Sequence, residues 1–156
     1  YICKNDSNHS LDSSVSRFMD FEDIIIGSDI NTRLRQFSVD VQKSRDNLYA
    51  LIDRIAGKGK RLAAFGATSK SATILAYCGL GLEQIDVCFD NTPTKIGKFL
   101  PLTGIPVVDS AEFLTSEYEY TFLFAWNHEK EIFNKFAGYG ANGGQWITHV
   151  PTARFL

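Results

Sequence analysis

The chain is poor in cysteine and lacks long apolar runs. Its 156 residues include three cysteines, Cys3, Cys78 and Cys88, without C-x-x-C spacing. This scattered set disfavours a disulfide framework or a zinc site and favours a reducing compartment, and the apolar neighbours of the last two predict buried, unreactive thiols. No apolar run reaches the roughly 18 residues that a membrane-spanning helix needs. We therefore expect a cytoplasmic protein with no membrane partner and no metal.

The sequence also has no surplus of positive charge. Its 16 Lys and Arg residues against 18 Asp and Glu residues give a formal net charge of -2. Proteins that bind nucleic acid normally carry a basic surplus, so the charge disfavours a nucleic-acid partner. Any phosphate must therefore be bound by a local group of residues.

After residue 60 the sequence alternates between short apolar runs and helical or turn segments. The strand-like runs are RLAAFG, QIDVCFD, IPVV, YTFLFAW and QWITHV; SKSATILAYCGL, SAEFLTSE and EKEIFNKFAGYG read as helical. This alternation predicts an α/β fold, a Rossmann-like parallel sheet with helices on both faces. Ahead of it, apolar residues at steps of three and four between residues 30 and 56 predict one long amphipathic helix that ends near Gly57 and Gly59.

Residues 1–29 differ in composition from the rest of the chain. They are rich in Ser, Asn and Asp apart from the run FEDIII. We interpret them as an extended lead-in, a linker from an upstream domain, and residues 30–156 as the α/β domain. The chain begins with Tyr1 rather than Met, so we expect it to be part of a larger protein.

The first candidate site segment joins a predicted strand to a predicted helix. It consists of Gly66, Ala67, Thr68, Ser69 and Lys70. The glycine permits a tight turn, the hydroxyls and the lysine supply donors, and the helix N-terminus favours an anion, so the segment predicts a phosphate or pyrophosphate site. The alternative is a plain turn whose Thr or Ser caps the helix, because neither GxGxxG nor the Walker pattern is complete.

The second segment follows the second strand. Asp90 stands a little over ~20 residues after the glycine turn, where dinucleotide-binding folds place a carboxylate that binds ribose hydroxyls. The alternative is an Asx turn within DNTP that needs no ligand. Asn91 belongs to the same turn, and Lys95 and Lys98 in the next loop could neutralise phosphate or belong to a solvated turn. Such sheets bind ligands at the carboxyl ends of their strands, where all these residues are predicted to lie.

The third segment follows the fourth strand. The indole of Trp126 could stack on a base or sugar, and Asn127 could make directional hydrogen bonds; alternatively Asn127 caps the next helix and Trp126 lies in the core. His128 is either a rim residue or a solvent-facing helix residue. His9 and His149 show no pattern of a metal site or a nucleophile relay.

These segments together carry a family resemblance. AAFGATSKSATILAYCGLG, IDVCFDNTPTKIGKFLPLTGIPV, FAWNHEKEI and GGQWITHVP resemble, in order and spacing, the C-terminal domain of the sugar C-methyltransferase family. The resemblance runs from about Asn31 to Pro151, and GATSKSAT, DNTPTKIGKFLP and WN are specific as a set. Its members use S-adenosylmethionine to methylate nucleotide-linked deoxysugars.

The resemblance implies a domain that helps hold a nucleotide-sugar. It also implies an upstream zinc-binding piece and an upstream methyltransferase domain that binds S-adenosylmethionine and holds the catalytic residues, so this chain holds neither catalytic residues nor a cofactor. The positions that match the family blocks are Gly66, Ala67, Thr68, Ser69, Lys70, Asp90, Asn91, Pro93, Lys95, Gly97, Lys98, Pro101, Trp126 and Asn127.

The chain departs from the family pattern at several positions. Ser71 stands where members often have glycine, and Leu102, Thr103 and Gly104 stand where they often have Gly-Thr-His; Asp12 replaces an arginine in the lead-in. Two alternatives stay open. One is an NAD(P)- or coenzyme A-binding Rossmann module, and the other is a non-catalytic domain that docks or forms a homo-oligomer through the long helix.

Overall fold

The computed structural model describes residues 4, 7–8, 10, 12–27 and 29–156. The chain forms two compact units that divide between Val41 and Gln42. Cys3 and His9, which the sequence analysis considered, lie outside the described residues.

The first unit is helical. It contains helix α1 (Ser13–Ile26) and the beginning of helix α2 (Ile30–Ala56). An extended conformation is therefore the wrong prediction for residues 13–26. Asp12 caps α1 by accepting a hydrogen bond from the Ser14 N–H at 2.7 Å, so the polar residues that suggested a linker in fact start a helix. The assignment of residues 1–29 to a linker from an upstream domain stays a prediction.

Helix α2 confirms the predicted long helix. It ends at Ala56, where the Gly57 N–H donates to the Asp53 carbonyl at 2.8 Å. Gly59 then takes a positive φ of 68°, a backbone conformation that favours glycine. The buried side chains of the helix all lie in its second half: Leu48, Leu51, Ile52 and Ile55.

The second unit is built on a six-stranded sheet in the order β3-β2-β1-β4-β5-β6. The strands are β1 (Leu62–Phe65), β2 (Ile85–Asp90), β3 (Val107–Asp109), β4 (Tyr120–Leu123), β5 (Gln145–Thr148) and β6 (Arg154–Phe155). Strands β1 to β5 pair in parallel, and β6 is antiparallel to β5. The predicted α/β class and all five predicted strands are confirmed. Strand β6 was not predicted because two residues are too few to show alternation.

The helices of this unit follow the prediction less closely. Besides the second half of α2, they are α3 (Ser69–Cys78), α4 (Glu129–Lys135) and α5 (Ala137–Ala141). The predicted helix SAEFLTSE is a 3-10 helix over Ser110–Thr115, and EKEIFNKFAGYG is divided into α4 and α5. The division falls at Phe136, whose φ of -114° and ψ of 33° are not helical, and glycines follow it, which form helix poorly.

Strand alternation separates the core into two clusters on opposite faces of the sheet. Ala64 belongs to a cluster with residues of α2 and α3. Its neighbour Phe65 belongs to a cluster rich in aromatic rings, where it meets Phe113 with ring centroids 5.2 Å apart. Cys78 and Cys88 are buried as predicted, and burial raises the pKa of both thiols. Both thiols are therefore protonated near neutral pH and unreactive.

Candidate functional site

The site lies where the order of the strands reverses. Strand β1 pairs with β2 on one side and with β4 on the other, both in parallel. The segments that follow these three strands therefore meet at one edge of the sheet, as predicted. Folds of this kind bind ligands at the carboxyl ends of the strands where the strand order reverses, a position called the switch point.

The glycine turn is held close to the end of β4. Gly66 has a φ of 93°, and its N–H donates to the Phe89 carbonyl at 2.8 Å. A Cβ atom at this position would lie 2.6 Å from the Cβ of Ala125, closer than two carbons can approach. Glycine is therefore required both by the backbone conformation and by the packing.

Asp90 connects this turn to the end of β2. The Ala67 N–H donates to its Oδ2 at 2.7 Å, the Thr92 N–H donates to its Oδ1 at 2.8 Å, and Lys95 Nζ lies 3.5 Å from Oδ2. Burial opposes ionisation of the carboxyl, but the hydrogen bonds from Thr92 and Ala67 and the charge of Lys95 outweigh it and hold the pKa of Asp90 below its ordinary value. Asp90 is 5% exposed. The Asx turn that the sequence offered as an alternative is thus present, and the ribose role of Asp90 stays a prediction.

The start of helix α3 retains donors for an anion. Thr68 caps the helix, since its Oγ1 accepts from the Ser71 N–H at 3.2 Å. The capping alternative is therefore also present. The N–H groups of Ser69 and Lys70 lie in the first turn of α3, so no carbonyl within the helix accepts from them. The helix dipole favours negative charge near them. An anion at the turn would meet these two groups rather than those of Gly66 and Ala67, which already donate within the protein.

A second connection joins α3 to the segment after β4. Lys70 Nζ donates to Asn127 Oδ1 at 3.1 Å and lies 5.0 Å from the centre of a Trp126 ring. Trp126 to His128 form a single 3-10 turn, and α4 begins after it with no side-chain cap. The alternative in which Asn127 caps the helix and Trp126 lies in the core is wrong, because Asn127 makes no cap and Trp126 is half-buried; ligand contact by these residues stays a prediction.

A polar cavity of about 310 Å³ opens beside the glycine turn. We call it the polar cavity; its walls are Phe65, Gly66, Thr68, Asp90, Asn91, Thr92, Lys95, Ser110, Ala125, His128, Glu131, Ile132, Lys135 and Phe136. Glu131 and Lys135 are wall residues that sequence reasoning missed. Their signal was present, since 128, 131, 132 and 135 lie on one face of a helix.

An apolar hollow of about 240 Å³ lies beside the same turn. Its walls are Ala67, Thr68, Ser69, Ala72, Lys95, Lys98, Phe99, Leu100, Pro101 and Val107. Thr68 and Lys95 line both the polar cavity and the apolar hollow. The structure therefore brings together most of the predicted residues around the turn, although it divides them between two concavities; Trp126 and Asn127 line a separate surface depression.

The charged side chains of the polar cavity differ in burial and in pairing. Asp90 is buried and paired, whereas Glu131 is 82% exposed and lies 3.7 Å from His128 Nδ1. Lys95 and Lys135 supply the cationic groups of the walls.

Within the described ranges, no cluster of three or more His, Cys, Asp or Glu side chains could hold a metal ion. No helix in the described part of the chain is long and apolar enough to cross a membrane.

Comparison with known proteins identifies the family. The family described as C-methyltransferase C-terminal domain matches residues 1–151. Over 122 residues, 78% of this chain, the sequence is 33% identical to C-methyltransferase NovU from Streptomyces niveus. The match spans only 29% of the length of that relative. The resemblance carried by GATSKSAT and DNTPTKIGKFLP is confirmed: the chain belongs to the C-methyltransferase C-terminal domain family.

Proposed function

We propose that this domain binds a nucleotide-sugar and positions it for methyl transfer by an upstream domain. The observation that carries the proposal is the polar cavity at the switch point, which combines Thr68, the cap of α3, with the cationic side chains of Lys95 and Lys135. A diphosphate needs donors and positive charge, and both are present at this edge of the sheet. In the larger protein the domain would be part of a cytoplasmic transferase.

Lys95 is central to the proposed diphosphate site. It lines the polar cavity and the apolar hollow, so its ammonium group can reach an anion that lies between them. Ser69 lines the apolar hollow together with Lys95. Lys95 also lies 3.5 Å from Asp90, which holds it at the turn before any ligand arrives. Such preorganisation reduces the entropy that ligand binding has to offset.

The other predicted residues have roles further along the ligand. Asn91 lines the polar cavity, where its amide can bind sugar hydroxyls, and Asp90 would accept from a ribose or sugar hydroxyl with its remaining lone pair. Lys98 would contribute a second charge for the diphosphate. Trp126 and Asn127 would contact a sugar or base at the opening of the site.

The residues of this site do not fit S-adenosylmethionine, the methyl donor that the family implies. Its sulfonium is a cation. The walls of the polar cavity carry Lys95 and Lys135 against two carboxylates. Of these, Asp90 is buried and paired with Lys95, and Glu131 is exposed beside His128. The turn after β1 also has only one glycine. We therefore assign no step of methyl transfer to this domain and place the donor in the upstream domain. The contribution of this domain is to hold the acceptor carbon in position, which lowers the entropic part of the barrier.

The test is calorimetric titration of the chain with thymidine diphosphate, S-adenosylmethionine and NAD under identical conditions. We expect selective binding of thymidine diphosphate, weakened about tenfold or more in Lys95→Met through loss of a charge-assisted hydrogen bond. Lys60→Met is the matched control, because Lys60 pairs with Glu119 just before β1, at the opposite edge of the sheet.

Three results would contradict the proposal in different ways. Preference for NAD would favour a nicotinamide-binding module. Equal losses in the two lysine variants would mean that net charge, rather than the site, attracts the ligand. Absence of binding, together with self-association that disappears when Leu34 and Phe37 become polar, would favour an oligomerisation domain.

A further inference from the structure

The apolar hollow differs in chemistry from the polar cavity beside it. Its apolar wall residues include Phe99, Leu100, Pro101 and Val107, and Phe99 is 68% exposed. An aromatic side chain left this exposed beside a concavity offers a flat surface to a ligand. The hollow lies on the α3 side of the sheet, since Leu100 and Val107 pack in the same core cluster as residues of α3.

The loop that carries Phe99 is held in a defined conformation. The Leu100 N–H donates to the Ile105 carbonyl at 2.8 Å, and the Val107 N–H donates to the Lys98 carbonyl at 2.8 Å. Phe99 also forms an isolated antiparallel bridge with Pro106. The segment is thus a short hairpin whose hydrogen bonds fix the backbone of Phe99, so only the ring rotamer has to be ordered when a ligand binds.

We propose that the apolar hollow binds the planar base of the ligand, which stacks on Phe99 while the sugar lies in the polar cavity. This assignment rests on the proposed nucleotide-sugar function. It orients the ligand across the turn at Gly66, with the base in the apolar hollow on one side and the sugar in the polar cavity on the other. Lys98 lies at the hollow beside Phe99, so the charge needed by the diphosphate is adjacent to the surface that takes the base.

The continuity of the two concavities supports this direction. Thr68 and Lys95 line both, and Ser69 at the start of α3 lines the hollow. A base on Phe99 would leave its diphosphate at Lys95 and the α3 N-terminus, and the sugar would extend toward Asn91 and Lys135. The two volumes together fall within the range of about 300–1,000 Å³ that is usual for small-molecule sites.

The experiment compares Phe99→Ala with the wild-type chain, using thymidine diphosphate and inorganic pyrophosphate as ligands. We expect the variant to bind thymidine diphosphate about tenfold more weakly, the size of a lost base–aromatic stack, and to bind pyrophosphate within about twofold of wild type. Leu102→Ala is the matched control, because Leu102 lies in the same hairpin, is 90% exposed and lines neither concavity. Both replaced side chains are largely exposed, so both variants should fold, which thermal unfolding would verify.

The outcomes separate this assignment from the proposed function. Wild-type binding of thymidine diphosphate that Phe99→Ala leaves unchanged would overturn the base assignment alone. Equal weakening of both ligands would also overturn it, since Phe99 would then only shape the turn. No binding of thymidine diphosphate by wild type would overturn both proposals. A change in sedimentation in Phe99→Ala, with nucleotide affinity unchanged, would assign the hollow to protein docking instead.

Discussion

The two sides of the glycine turn are built differently. Toward β2, the turn is connected by a buried carboxylate, since Asp90 accepts from Ala67 and Thr92 at 2.7 and 2.8 Å. Toward β4, it is connected by the close approach of Gly66 to Ala125 and, further out, by the exposed contact between Lys70 and Asn127. Buried and close-packed contacts fix the shape of a site, whereas exposed polar contacts can exchange for a ligand at little cost. The turn is therefore rigid at its base and adaptable at its outer edge.

The close approach toward β4 gives the largest expected effect. Gly66→Ala places a Cβ 2.6 Å from that of Ala125 at a φ of 93°, so both steric overlap and backbone strain oppose it. We expect a loss of about 4 kcal/mol in the free energy of unfolding, measured by urea denaturation. Gly143→Ala is the matched control, because Gly143 has a φ of 89° but nothing within 4 Å of its added Cβ. Equal losses in the two variants would show that strain alone, and not the contact with β4, requires glycine.

The buried carboxylate toward β2 gives the next effect. Asp90→Asn replaces an acceptor oxygen by a donor group, so one of the N–H groups of Ala67 and Thr92 loses its partner. We expect a loss of about 3 kcal/mol near neutral pH. The control is Asp109→Asn at the end of β3, where the carboxylate accepts one N–H, that of Ala111, in an exposed contact. Little change in stability is expected there, because the remaining amide oxygen can accept the same N–H and asparagine caps helices about as well as aspartate.

The same variant has a defined pH dependence. The pKa of Asp90 is lowered in the folded protein, so the stability that its ionised form contributes is complete above the ordinary pKa of 3.8 and is lost as the pH falls through the folded-state pKa. The difference in unfolding free energy between wild type and Asp90→Asn should therefore stay constant from neutral pH to near 3.8 and decrease below it. A difference that instead decreased well above this value would contradict the role of the ionised carboxylate.

The sequence predicted the parts of the site better than their contacts. Strand alternation and the helix start after Gly66 depend on neighbouring residues, so they could be read directly. The hydrogen bond from Ala67 to Asp90 joins residues 23 positions apart, and the approach of Gly66 to Ala125 requires β4 to pair beside β1. Helical spacing places Lys135 on the same face as Glu131, but the sequence alone does not show that this face borders the cavity, because the packing of Ile132 and Phe136 decides it.

The exposed contact toward β4 gives the smallest expected effect on stability. Lys70→Ala removes the bond to Asn127 and the contact with Trp126, and exposed contacts of this kind contribute about 0.5 kcal/mol or less. Its effect on binding should be larger, because the lysine can leave Asn127 and donate to a diphosphate, a bond worth about 1.5–3 kcal/mol. We therefore expect titration to show weaker binding of thymidine diphosphate with thymidine nearly unaffected. Asn127→Ala is the control, because it removes the same contact but keeps the charge of Lys70. If it lowered the affinity for thymidine diphosphate as much as Lys70→Ala does, the contact between Lys70 and Asn127, and not the freed ammonium group, would be what ligand binding requires.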